Sequence, residues 1–129
     1  MIASDLSLKN RRRRRWRPAA PTPGAQICWL LEEAVAAAFA VPVDDVRAAS
    51  RSTAEAAFAR QCAMYLAHVA LGTNCSKVGR MFHRDRTTVV YACQQVELSR
   101  DEPAIDRTLD LLENTCIDLV QRAQWRAMA

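Results

Sequence analysis

Apolar positions recur at helical spacing along most of the chain, and few residues interrupt them. From Ala25 to Ala40, the residues Ile27, Leu30, Leu31, Ala34, Val35, Ala38 and Phe39 lie on a period near 3.6. Pro42 ends that run, because a proline disfavours helix in the residue before it. A short second helix is expected around Asp44 to Ala49, its acids at the end where the helix dipole favours them. Ser52-Thr53-Ala54-Glu55 reads as a capping box, with Ser three residues before Glu. The strong helix formers AEAAFARQCAMYLAHVAL follow, with Phe58, Cys62, Tyr65, Leu66 and Val69 as the apolar side. Gly72 stops this helix as a C-terminal glycine does. Thr73 or Asn74 can cap a short helix that turns Val78, Met81 and Phe82 inward.

After a four-residue turn, Asp85 serves as N-cap for a helix whose buried stripe is Val89, Ala92, Cys93 and Val96. Arg86, Thr87, Thr88, Tyr91, Gln94 and Gln95 remain on its outside. A last helix follows Pro103, with Ile105, Leu109, Leu112, Cys116, Leu119 and Val120 on its apolar face. No strand and no internal repeat is evident, so the expected fold class is all-α.

Composition narrows the picture. A chain of 129 residues, half of them hydrophobic, suits one domain with an ordinary core. No apolar run reaches the roughly 20 residues of a membrane span. The N-terminus turns basic with no apolar segment behind the charges, which excludes a secretory signal. Three glycines, none in a G-x-x-x-x-G-K pattern, leave no phosphate-cradling loop for a nucleotide. Cys28, Cys62, Cys75, Cys93 and Cys116 are widely spaced, and His68 and His83 are the only histidines. No metal site and no cofactor is expected, and a reducing cytoplasm fits the free thiols. No nucleophile or paired acid and base stands out, so an enzyme is not expected.

Charge is unevenly placed within a net of +4. Residues 1–24 hold seven bases against one acid, and residues 47–86 seven against two. Residues 25–46 hold four acids beyond their bases, and residues 87–129 three. Residues 1–24 read as a disordered arm, because RRRRRWRP and PAAPTPG cannot pack or hold a helix. Its Arg11, Arg12, Arg13, Arg14, Arg15 and Arg17 suit non-specific phosphate binding, with Trp16 able to stack on a base. A solvated extension, or an upstream start codon wrongly chosen, explains the arm equally well. Residues 25–129 form the domain proper.

The pair of helices from Cys75 to Leu98 has helix-turn-helix dimensions. The second helix of such a pair fits the DNA major groove, its N-terminal residues meeting base edges. An arginine such as Arg86 can chelate guanine, and the methyls of Thr87 and Thr88 can touch thymine. Backbone amides near Ser76 and Thr87 can hold phosphates. On pattern alone, a solvated polar helix face is an equal reading.

The segment ARQCAMYLAHVALGTNCSKVGRMFHRDRTTVVYACQQVE resembles the C-terminal DNA-binding domain of the bacterial replication initiator DnaA. That family reads RQ-x-AMYL-A, then an I/V-G pair, then F-G-G-R-D-H-T-T-V, and the likeness spans residues 27–100. The resemblance implies a Trp-repressor-like helix-turn-helix bundle that recognises a double-stranded 9-mer, the DnaA box. Asp85, Arg86, Thr87 and Thr88 match its major-groove readers, and Arg60 and Gln61 its backbone-contacting positions. Arg51 matches, across a one-residue gap, the arginine that a basic loop inserts into the minor groove. Ser76, Lys77, Arg80 and Arg84 complete the expected interface.

Three departures stand out. Arg86 replaces the usual histidine, shifting preference toward guanine. HRD is one residue shorter than G-G-R-D. The loop from Arg47 to Ala59 is poor in bases. The AAA+ module is missing as well, so nucleotide binding and origin opening are not implied. The expectation is a stand-alone regulator of transcription or replication initiation in the bacterial cytoplasm, at the nucleoid.

Several residues carry two readings. His68 approaches a phosphate or lies on the surface; Tyr91 touches DNA or covers a helix junction. Arg80 and Arg84 contact phosphate or solvate the turn, and Asp85 caps and orients Arg86 rather than reading bases. Only Lys77 stands near Cys75 to lower its pKa. The competing function is a helical interaction module with only non-specific DNA affinity, whose protein partner contacts the extra C-terminal helix from Leu109 to Trp125.

Overall fold

The computed structural model describes residues 23–48 and 53–128. All secondary structure among them is helical: α1 Pro23–Phe39, α2 Val43–Arg47, α3 Ala54–Val69, α4 Cys75–Phe82, α5 Arg86–Ser99 and α6 Pro103–Met128. The all-α expectation therefore stands. The Arg-rich run of the expected arm and Arg51 lie outside the described residues, whereas Pro23 and Gly24 already belong to the first turn of α1.

α3 is the central element, packing against α5 and α1 and touching α2, α4 and α6. Its sequence explains why. Ala56, Ala59, Ala63 and Ala67 are fully buried, and such small side chains let neighbouring helices approach closely. Met64 and Leu66 fill the remaining space with Leu31 and Val35 of α1, Val46 of α2, Val78 of α4, and Val89 and Val96 of α5. Phe39 meets Phe58 edge to face at 5.5 Å, closing the far end of the α1–α3 contact.

The helix ends differ from expectation in instructive ways. α1 stops at Phe39, before Pro42 could stop it, because Ala40 turns left-handed with φ 55°. The Val41 amide then donates back to the Ala36 carbonyl at 3.0 Å. α2 is shorter than expected and ends at Arg47. The cap of α3 is Thr53, whose hydroxyl accepts from the Ala56 amide at 3.1 Å, rather than Ser52. Val69, expected inside, is 48% exposed at the last residue of α3, whereas Ala70 and Leu71 just after it pack against the core. Ala38 is likewise exposed, whereas Ala36 is buried in its stead.

α6 starts at Pro103, whose missing N–H is no loss in a first turn. It buries Leu109, Leu112 and Cys116, and a single arginine fixes it to the rest. Arg100, just past α5, donates to Asp106 at 2.8 Å and Glu113 at 3.0 Å, and pairs with Asp110. The guanidinium also lies over the Tyr65 ring at 5.9 Å. Tyr65 donates its hydroxyl to Glu97 at 2.7 Å, and burial together with that bond holds the phenol above its usual range. Leu119, expected on the buried face, is 39% exposed, since the helix has by then run past the core.

Candidate nucleic-acid interface

α4 and α5 form a helix-turn-helix with a turn of three residues, His83 to Asp85, rather than four. Two local features close it. Gly79 lies so near the turn that a Cβ there would sit 2.5 Å from the Arg84 carbonyl oxygen. His83 adopts the left-handed conformation, φ 56° and ψ 48°, and the Arg84 amide donates to the Gly79 carbonyl at 2.8 Å. A residue with a Cβ holds that conformation at a cost of about 1 kcal/mol. The shortened HRD segment thus makes with histidine a turn that the resemblance led one to expect from glycine.

Gly79, which packs against the backbone of Arg84 to Arg86, stands next to Arg80 and one helical turn after Ser76 along α4. Ser76, Lys77 and Arg80 are exposed on α4, and Asp85, Arg86, Thr87 and Thr88 are exposed at the opening of α5. Val89, Ala92 and Val96 point the other way, into the core. With Arg84, the four bases exceed the one acid here by three charges. No ion pair engages Lys77, Arg80 or Arg86 among the described residues.

Asp85 holds the N-cap position of α5 with extended backbone, but its side chain makes no capping hydrogen bond. The first amides of this 14-residue helix are left without that internal acceptor. At α4 the situation differs, since the Asn74 side chain accepts from the Lys77 amide at 2.9 Å.

Other expected residues have internal employment. Arg60 donates from Nε to the Val46 carbonyl at 2.9 Å and from Nη2 to the Asp45 carbonyl at 3.0 Å. Arg84 reaches the carbonyls of Ala48 and His83 at 3.4 and 3.3 Å. Gln61 is half-buried beside Arg60. His68 lies 2.8 Å from the Thr73 carbonyl through Nδ1, so that nitrogen carries the proton and the ring ties α3 to the turn after it. Tyr91 is 56% exposed on α5.

The sequence reading missed Arg47, which bonds Glu32 at 3.2 Å and Glu33 at 3.3 Å while its guanidinium stacks 4.7 Å over Trp29. The signal was present as acids and a tryptophan on one side of α1, yet only the fold reveals that α2 returns to them. A cleft of about 380 Å³ opens there, lined among others by Trp29, Glu32, Arg47, Arg60, His83 and Arg84. The buried thiols of Cys28 and Cys62 are pushed up to about 12, chiefly by desolvation, and Cys93 to about 11. No group of side chains suited to a metal occurs among the described residues. No helix among them is long and apolar enough to cross a membrane.

Comparison with known proteins finds the bacterial DnaA protein helix-turn-helix matching residues 30–96, just over half of the chain. The chromosomal replication initiator protein DnaA of Thermodesulfovibrio yellowstonii is 32% identical over 83 residues, 63% of this chain and 19% of that protein. DnaA 2 of Chlamydia pneumoniae is 36% identical over 84 residues, covering 64% and 18%. A crystal structure of a DNA replication initiation factor superposes with a TM-score of 0.63 at 28% identity, over 74% of this chain and 29% of that one. A replication initiator DnaA bound to AMPPCP and single-stranded DNA gives 0.62 at 25% identity, over 88% and 32%. The chain spans under a fifth of the length of these curated relatives.

Proposed function

The chain belongs to the bacterial DnaA helix-turn-helix family, and on that premise we propose that it binds double-stranded DNA sequence-specifically at DnaA-box-like 9-mers. The observation that carries this reading is the opening of α5, where Arg86, Thr87 and Thr88 are exposed beside Lys77 and Arg80 without internal partners. Arg86 chelates a guanine edge in the major groove, and the threonine methyls meet thymine methyls. Asp85 stands beside Arg86 with its carboxylate free of the helix cap and orients the guanidinium. Ser76, Lys77, Arg80 and Gln61, with the open amides of α5, hold phosphates and set the register. Arg60 and Arg84 border this surface with their guanidinium groups already bonded to backbone carbonyls. Arg51 enters the adjacent minor groove, and the Arg-rich residues 11–17 add affinity without specificity.

Residues 25–129 act as one DNA-binding domain in this reading, and the protein works in the bacterial cytoplasm on the nucleoid. Occupying such sites, it regulates transcription or the initiation of replication, without an enzymatic step or cofactor of its own. Selection of the full chain against a randomised duplex pool tests the proposal. Enrichment of one 9-mer, with a guanine at the position that Arg86 reads, is the expected result. A pool that stays random contradicts it and favours a protein partner on α6, where Leu111 and Leu119 are exposed.

A further inference from the structure

Two guanidinium groups from other elements converge on the C-terminal end of the short helix α2. A helix of five residues leaves its last carbonyls without intrahelical donors and is too short to persist alone. Arg60 reaches across from α3 and supplies donors to Asp45 and Val46 at 3.0 and 2.9 Å. Arg84, in the turn before α5, supplies one to Ala48 at 3.4 Å. Arg47 turns the other way and bonds α1 through Glu32 and Glu33. Burial, and then the nearby charge of Arg84, lower the pKa of Arg60. The two cations stand close despite mutual repulsion, and the carbonyls at the negative end of α2 offset it.

We propose that Arg60 and Arg84 serve DNA reading as positioning residues. They hold the end of α2 in fixed relation to the turn that aims α5. The direction in which α5 meets the major groove is thereby fixed through α2 as well as through the turn. This inference rests on the DNA-reading function proposed above.

A lysine keeps the charge of an arginine but not its planar fork, which separates positioning from phosphate binding. Arg84→Lys and Arg84→Ala are therefore compared in the full chain, with Arg60→Lys as a second site and circular dichroism as a check on folding. Without DNA, the amides of Asp45 and Val46, both bonded to the Pro42 carbonyl, are expected to exchange about tenfold faster in every variant. With DNA, Arg84→Lys is expected to lose base discrimination as Arg84→Ala does, at an unchanged salt slope. Retained binding in Arg84→Lys, with uniform loss and a slope smaller by about one in Arg84→Ala, overturns the proposal, since that is a phosphate contact. Unchanged amide exchange overturns it too. Absence of selectivity in the wild type defeats the DNA-reading function instead, and the exchange result still judges whether Arg60 and Arg84 hold the end of α2.

Discussion

The two ends of α5 each carry an arginine, and the two are treated in opposite ways. Arg100, past the C-terminus, is enclosed by Asp106, Asp110 and Glu113 and lies over Tyr65. It sits where the helix dipole welcomes a cation, and it fixes α6 to the bundle. Arg86, at the N-terminus, is exposed, forms no ion pair among the described residues, and opposes the positive end of the same dipole. Among the described residues only the neighbouring Asp85 carboxylate offsets a cation there, and it forms no ion pair with Arg86. One arginine thus stabilises the protein, and the other stands at some cost to stability where an outside anion or base edge can meet it. That local disagreement with the fold's own interests is what the proposed reading role of the second end would account for.

The largest disruption should come from Gly79→Ala, which presses a Cβ on the Arg84 carbonyl. Overpacking against backbone should cost about 1–3 kcal/mol of stability and spoil DNA binding together, seen in urea melts and in titration. Arg86→Ala should divide the two properties. DNA discrimination is expected to fall by roughly 1–3 kcal/mol at one base pair, while thermal stability stays level or rises slightly. A drop in stability equal to that of Arg100 variants would erase the contrast between the ends. Arg100→Met should lose about 1–2 kcal/mol of stability, discounted for the exposure of its partners, and leave DNA preference intact. Smallest, and opposite in sign, His83→Gly should relieve the left-handed turn and stabilise by about 1 kcal/mol, measurable as a raised Tm.

Alkaline titration probes the core beneath both ends. Cys28 and Cys62 ionise near 9.0 in an unfolded chain and near 12 when buried. The unfolded state therefore releases protons first, and stability should decline as pH rises from 9 toward 12. A flat profile in chemical denaturation over that window would contradict the burial of these thiols.

Helical periodicity made the six helices and most core positions legible, because a bundle of this size buries one stripe per helix. The ends of helices were less so. Ala40 and His83 enter the left-handed region without being glycine, and no local propensity announces that; tertiary packing imposes it. The exposed set from Asp85 to Thr88 could be read from the outward phase of α5. The engagement of Arg60 and Arg84 could not, because their carbonyl partners lie 14 and 36 residues away in sequence. Charge along a chain identifies cations, and only the fold separates those that are already bonded from those that remain available.

The most direct test is fluorescence anisotropy of the full chain, wild type and Arg86→Ala, on a duplex DnaA box and a scrambled duplex at two salt concentrations. The wild type is expected to prefer the box by about 10³-fold or more at both salts. Arg86→Ala is expected to lose much of that preference while its salt slope changes by no more than about one. Equal binding of both duplexes by the wild type, vanishing at the higher salt, would contradict the claim that the opening of α5 reads sequence.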